Sequence, residues 1–283
     1  MMRTIKSILY TAICFATIVS CDLNQEIEIE LPEYTPQITV ECYVESGKPF
    51  NLLLTKSVGY FDPLVIDPQE YLEQILVNDA TVSISAGNNK YELDNGVFLD
   101  PVSFKLNNYG RVDAVEFDPG TELALEIQLA DGTVLTSETT VLEPLVIDSV
   151  SIEFNEIQED MARCLIFGDD NDPEINYVRR MLHDGSLDSL VIDFVATDEF
   201  TEGDRFIFGS DYSFDRGDTI INTLIHINKE YYDFYQSVQG AAFVNGNPFG
   251  QPGQIISNIE GEGNPIGIFT FISVDTTFNI VPE

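Results

Sequence analysis

The stretch from Glu122 to Val141, ELALEIQLADGTVLTSETTV, decides the fold class of this chain. Glu122–Leu129 and Val134–Val141 each alternate apolar and polar side chains, the period of a strand with one buried face. Between them stands Asp131-Gly132. Asp-Gly adopts the left-handed dihedrals of a type I′ turn, whose twist matches that of paired strands. Pro119-Gly120 marks another turn just upstream. The stretch predicts a β-hairpin, and its neighbours repeat the pattern.

Upstream, Ala80–Ala86 sets Val82 and Ile84 against Thr81 and Ser83, then turns at Gly87-Asn88-Asn89 into Lys90–Leu93. Gln37–Val44 and Phe50–Lys56 read as strands joined around Ser46-Gly47-Lys48. The proline-bearing stretch from Gly59 to Asn78 reads as a long loop with room for one helical turn. Downstream, Glu143-Pro144 is a junction. Beyond it, Val146–Phe154, Arg163–Phe167, Ile175–Leu182, Leu187–Ala196, Asp204–Phe208 and Thr219–Ile227 are strands by their β-branched and aromatic content. One helix follows. Asn228 is positioned to cap it, Glu230 suits its positive end, and Gly240 is positioned to close it. Tyr231, Phe234, Tyr235 and Val238 would form its apolar face, read as core packing. A loop rich in Gly, Pro and Asn, residues 245–253, leads to terminal strands, of which Gly267–Asp275 is the clearest.

The expected architecture is mainly β: two β-sandwich-like, immunoglobulin-like domains with one short helix in the C-terminal half, behind a signal peptide and a tether. The expected boundaries are 1–20 for the signal peptide and 21–36 for the tether. An N-terminal sandwich follows at 37–143 and a C-terminal β-rich domain at 144–283. Within the tether, Ile27-Glu28-Ile29-Glu30-Leu31 alternates and could equally form a short edge strand.

The leader MMRTIKSILYTAICFATIVSC sets the compartment. Arg3 and Lys6 give a positive start, and Ser7–Ser20 carries no charge. That run is shorter than the about 20 apolar residues a spanning helix needs. A positive end, a short apolar run and a small-residue exit make a secretory signal. The exit Ile18-Val19-Ser20-Cys21 resembles the bacterial lipobox, in which the cysteine is acylated and becomes the first mature residue. Cys21 is therefore the expected lipidation site. Two or more acyl chains anchor a protein stably, at about 0.8 kcal/mol per buried methylene.

The chain of 283 residues carries a formal charge of −35, and loss of residues 1–20 with Arg3 and Lys6 takes it to −37. Such a field repels nucleic acid and anionic lipid, and attracts cations and basic partners. Hydrophobic residues make up 44% of the chain, enough for a core, so the acidity does not imply disorder. Besides Cys21, the mature chain keeps Cys42 and Cys164. Both lie in apolar strands, where a cysteine is a small core residue, and the compartment also permits a disulfide between them.

Few groups are arranged for catalysis. His183 and His226 are isolated from any zinc-ligand spacing, and His226 reads as a hydrogen-bonded structural histidine. There is no Gly-x-Ser-x-Gly elbow. No carboxylate pair of the glycosidase kind stands out, though the acid surplus leaves room for one. Tryptophan, the preferred ring of sugar platforms, is absent. The reading is not an enzyme. No cofactor is expected, with calcium as the one candidate: Asp169, Asp170 and Asp172 lie in an acidic run that could supply oxygens, and Asp211, Asp215 and Asp218 form a second such run. Solvated turns are the alternative for both.

Gly246-Asn247-Pro248-Phe249-Gly250, then Ser257-Asn258-Ile259-Glu260-Gly261, then Gly267-Ile268-Phe269, form a distinctive series after the aromatic helix. With Val-Glu-Cys-Tyr-Val at residues 40–44 and the Asp-Gly strand pair, this order resembles a Bacteroidota lipoprotein family defined only as a domain of unknown function (family 4249). The resemblance covers almost the whole mature chain. It implies an outer-membrane accessory lipoprotein encoded beside a TonB-dependent receptor, with that receptor and the membrane as partners, no nucleic acid, and no catalytic residue to carry over. Asn247, Pro248 and Phe249 are then a candidate docking loop; a packed turn with Phe249 in the core is the alternative. The expected function is ligand capture at the outer membrane. A structural or adhesive surface sandwich and a hydrolase with an unrecognised acidic pair stand as the alternatives.

Overall fold

The computed structural model describes residues 34–59, 62–63, 65–99, 105–169, 175–199, 205–245 and 253–283. Cys21, Asp170, Asp172, Asn247, Pro248 and Phe249 lie outside the described residues, as does the tether alternation at 27–31.

The decisive hairpin forms as β6 (Glu122–Gln128) and β7 (Val134–Thr140), with Glu122 opposite Thr140 and Gln128 opposite Val134. Gly132 at the turn has φ of 92°, a conformation glycine takes without strain. Leu123, Leu125 and Ile127 point inward, and β3 (Thr81–Ala86) lies on the other side of β6 with Val82 and Ile84 on the same buried face.

The second layer holds β1 (Ile38–Val44), β2 (Phe50–Lys56) and β5 (Leu106–Arg111). Val40, Cys42, Leu52 and Leu54 from this layer join Val82, Ile84, Leu125 and Ile127 from the first in one apolar cluster. The layers are linked by β4 (Asn89–Leu99), far longer than the Lys90–Leu93 expected. Its first half pairs with β3 and its second half with β5, and the register shifts between Asn95 and Phe98. A strand bent at such an irregularity can pass from one sheet to another. Asn108 seals the join. Its side chain accepts from Leu54 N at 2.7 Å and donates to the carbonyls of Leu54 (3.0 Å) and Val77 (2.8 Å).

The stretch read as a loop contains α1 (Pro68–Ile75), two turns rather than one. Asp67 caps it, accepting from Gln69 N at 2.9 Å and Glu70 N at 3.1 Å, and Pro68 takes the first helical position, where no N–H is needed.

The second half repeats the plan. A three-stranded sheet of β8 (Ser149–Phe154), β9 (Ala162–Asp169) and β12 (Arg205–Gly209) supplies Ala162, Cys164, Ile166 and Phe206 to a second cluster. The opposing layer is β10 (Tyr177–Asp184), β11 (Leu190–Thr197) and β13 (Thr219–Ile227), whose Val178, Leu182, Ile220 and Leu224 join that cluster. Cys42 and Cys164 sit in different clusters and are both free.

One strand belongs to both halves. The 15-residue β15 (Ile266–Ile280) runs parallel to β1 with residues 266–271 and antiparallel to β13 with residues 272–280. Among the described residues, twelve strands thereby form one continuous order, ending at β11 on one side and at β14 (Glu260–Gly261) on the other. Pro36–Glu283 hold together as one compact unit. Gly267 makes the parallel pairing possible: a Cβ there would stand 1.9 Å from the Val40 carbonyl oxygen.

The helix α2 spans Lys229–Asn245 and passes through Gly240 instead of ending there. The Asn228 carbonyl accepts from Tyr231 N and Tyr232 N. Its side chain does not cap the helix; it donates to Thr139 Oγ1 at 2.9 Å and Thr140 O at 3.0 Å, fixing the helix start to β7. No described helix is long and apolar enough to cross a membrane.

Candidate functional site on the tyrosine and arginine seam

Strand alternation sends every second side chain away from the sandwich cores, and α2 covers part of that outer face. On β1, Val40, Cys42 and Val44 point into the first core, so Glu41 and Tyr43 face outward. On β10 the outward residues are Tyr177, Arg179 and Met181, and on β11 they include Asp193 and Val195. Against them α2 lays Tyr231, Tyr232, Phe234 and Tyr235, while Ile225, Ile227 and Ile268 form the floor.

Arg179 is the hub of this seam. It grips Asp193 through two bonds of 2.7 Å, Nε to Oδ1 and Nη2 to Oδ2, the bidentate geometry that a planar guanidinium favours. Its Nη1 donates to the Tyr231 hydroxyl at 2.7 Å, and its guanidinium lies 5.0 Å from the Tyr235 ring centre. Tyr231 in turn meets Tyr43 edge-on at 5.4 Å, and Tyr43 donates to Glu41 Oε1 at 2.8 Å. Lys105 closes the chain by pairing with Glu41 and standing 5.5 Å from the Tyr43 ring. Tyr177 and Tyr232 add a further ring contact at 5.1 Å.

Burial pushes the phenol pKa values of Tyr43, Tyr231 and Tyr235 up, and Arg179 softens the effect on each. Burial alone would lower the pKa of Arg179, but Asp193 and Tyr231 together more than offset it and hold it above the usual value. All four groups therefore keep their ordinary protonation at neutral pH. These contacts fix α2 on the outer face of the sheet.

Of the sequence-derived sites, only Asp169 of the first acidic run is among the described residues. It ends β9, and its Oδ1 lies 3.2 Å from Arg205 Nε, so its charge meets a cation within the sheet. In the second run, Asp218 Oδ2 accepts from Asp215 N at 2.7 Å, a closed turn. Among the described residues no group of three or more acidic, histidine or cysteine side chains is set to hold a metal. His226 is buried, and its Nδ1 lies 2.8 Å from the Glu143 carbonyl; a carbonyl only accepts, so Nδ1 carries the proton.

The signature series has a structural explanation where it is described. Asn258 donates to Phe269 O at 2.7 Å and accepts from Phe269 N at 3.0 Å, acting as a strand neighbour for β15. Ser137 Oγ donates to Asn258 O at 2.8 Å, and Glu260–Gly261 pairs with β7. The Arg179–Asp193 grip escaped sequence reasoning because the partners sit on adjacent strands whose register no local motif reveals.

These features define a class: a mainly β protein of layered sheets that share a strand, with a tyrosine-lined helix docked outside. The chain belongs to the family described as "Domain of unknown function (DUF4249)", whose model matches residues 24–277. Comparison with curated proteins finds no match. Among solved structures, a chain titled "Cytokine receptor complex - Crystal form 1A" is similar at 7% identity and a TM-score of 0.26, over 68% of this chain and 86% of that one. A likeness that loose supports no argument.

Proposed function

We propose that this protein is a lipid-anchored accessory protein of the outer membrane that works beside a TonB-dependent receptor and captures ligand for it. The observation that carries the reading is the exit Ile18-Val19-Ser20-Cys21, followed within three residues by a domain that the family model covers from residue 24. A triacylated Cys21 would hold the body at the membrane surface without spanning it. The seam under α2 gathers tyrosine and arginine, residue types enriched among those that carry interface energy, which supports a binding role.

Two measurements on one pair of proteins test this. Wild type and Cys21→Ala are labelled with a palmitate analogue and fractionated. Label and membrane retention are expected for wild type only; equal labelling of both removes the anchor. Affinity capture of the tagged wild-type lipoprotein from detergent-solubilised outer membrane is expected to bring down a TonB-dependent receptor. Capture in which no such receptor is enriched over an unrelated lipoprotein bait removes the receptor arm and leaves the anchor standing.

A further inference from the structure

Among the described residues the order of twelve strands has two ends, and they are guarded very differently. β14 is two residues long and carries Glu260. β11 is eight residues long, Leu-Val-Ile-Asp-Phe-Val-Ala-Thr, with no lysine and no proline. Shortness, lysine, proline and bare charges are what natural edges use against strand addition. The single charge on β11 is Asp193, and Arg179 of the neighbouring strand already holds it. No residue of β11 is buried, whereas on β10 the inward Val178, Arg180 and Leu182 are.

The ladder shows which backbone groups face away from the sheet. Asp198 N donates to Asn176 O at 3.3 Å, and Gly185 N donates to Thr219 O at 2.7 Å. Bonded and non-bonded pairs alternate along an antiparallel ladder. The bonds between β10 and β11 therefore fall on the pairs Val178–Ala196, Arg180–Phe194 and Leu182–Ile192. The odd residues of β10 bond to β13 instead. On β11 the N–H and C=O groups of Asp193, Val195 and Thr197 thus point away from β10. Among the described residues no hydrogen bond reaches them.

The side chains beside this edge restrict what fits it. Ile192 and Ala196 pack against the second core, and the Phe194 ring meets the Phe208 ring edge-on at 6.3 Å. Phe208 lies on β12, an end strand of the opposing sheet, and both rings are half-buried. A strand with an apolar side chain at every second position would extend that surface. From Met181 to Asp204 the sequence holds seven acids and no lysine or arginine. Asp184 and Asp188 precede β11; Asp198 and Glu199 follow it. A second copy pairing β11 with β11 about a two-fold axis would set these acids against one another, which is destabilising. Lysine or arginine at the ends of a different strand would complement them.

We propose that β11 is a docking edge for a partner protein. An extended segment with alternating apolar residues and Lys or Arg at its ends adds to the sheet beside β11. It exchanges backbone hydrogen bonds with Asp193, Val195 and Thr197. In strand addition the main chain gives affinity and the alternate side chains give selectivity. The edge lies on β11 and does not depend on the lipid anchor or on a receptor.

The test uses the full-length lipoprotein in detergent and the synthetic peptide Lys-Lys-Val-Thr-Val-Thr-Val-Thr-Lys-Lys, with hydrogen exchange resolved to single amides. Without peptide, Asp193, Val195 and Thr197 are expected to exchange faster than Ile192, Phe194 and Ala196. Peptide at about ten times its Kd should slow the first three about tenfold and leave the second three little changed. A peptide with Glu in place of every Lys should not bind. One N-methylated at every Val and Thr keeps the charge but loses the donors, and should leave exchange at β11 unchanged. Val195→Pro removes one edge donor and should weaken binding about fivefold or more. If that variant does not fold, the N-methylated peptide makes the same comparison on wild type. Four results each overturn the proposal: no slowing at the three odd amides, slow exchange there before peptide is added, equal protection by the N-methylated peptide, or a dimer that Val195→Pro dissociates.

Discussion

Gly267 and Gly132 both have positive φ, 145° and 92°, yet they do different jobs. At Gly132 nothing lies within 4 Å of an added Cβ, so Gly132→Ala should cost only backbone strain, about 1–2 kcal/mol. At Gly267 an added methyl would meet the Val40 carbonyl at 1.9 Å and force β15 off β1. Gly267→Ala should therefore cost about 4 kcal/mol or more. Urea denaturation of the two variants checks the contrast, and similar losses would refute the steric account. His183 makes the other residue-scale prediction. It is 4% exposed and its Nδ1 has no partner; burial holds its pKa below the ordinary 6.5, with Asp193 pulling the other way. A base with a depressed folded pKa takes up its proton more readily when unfolded. Its contribution is intact above the unfolded value and is lost as pH falls below about 6.5. Between about pH 7.5 and about pH 5, wild type should lose stability more steeply than His183→Gln. Parallel pH profiles would show that His183 does not contribute.

At the scale of elements, local and distant bonds divide the labour. Helix α1 has no fully buried residue, and Asp67 bonds to two of its first N–H groups. Asp67→Ala should cost about 1 kcal/mol and fray that helix first, which amide exchange at Gln69 and Glu70 would report. Unchanged exchange there would mean that packing, not the cap, holds the helix. Helix α2 depends on the reverse arrangement. Its start is fixed by Asn228 reaching to β7, and its face is fixed by Arg179 reaching from β10 to Tyr231.

On the scale of the whole molecule, β15 is the shared part. Phe269 and Phe271 belong to the first core, and Val281, just beyond the strand, belongs to the second. A chain ending at Leu142 lacks both phenylalanines and leaves β1 without its β15 neighbour. Truncating buried phenylalanine costs about 3–5 kcal/mol at one site, comparable with the whole stability of a small domain. Residues 36–142 expressed alone should therefore fail to give a cooperative thermal transition by circular dichroism. A sharp transition close to that of the full chain would show that the first sandwich does not need β15.

The sequence by itself determined the period-two strands, the Asp-Gly hairpin, the inward faces at Val82, Ile84, Leu123 and Leu125, and the aromatic helix. Each follows from residues near one another in the chain. It also carried the signature at Ser257–Gly261 and Gly267–Phe269 without disclosing why those residues are needed. Only the tertiary structure decided that β4 and β15 each serve two sheets, that β15 runs parallel to β1, and that α2 continues through Gly240. It alone brought Arg179 to Asp193 and enclosed Arg180 with Asn222 and Cys164. Register between strands and the burial of a charge depend on partners 14 to 58 residues apart, and local propensity carries no information about such partners.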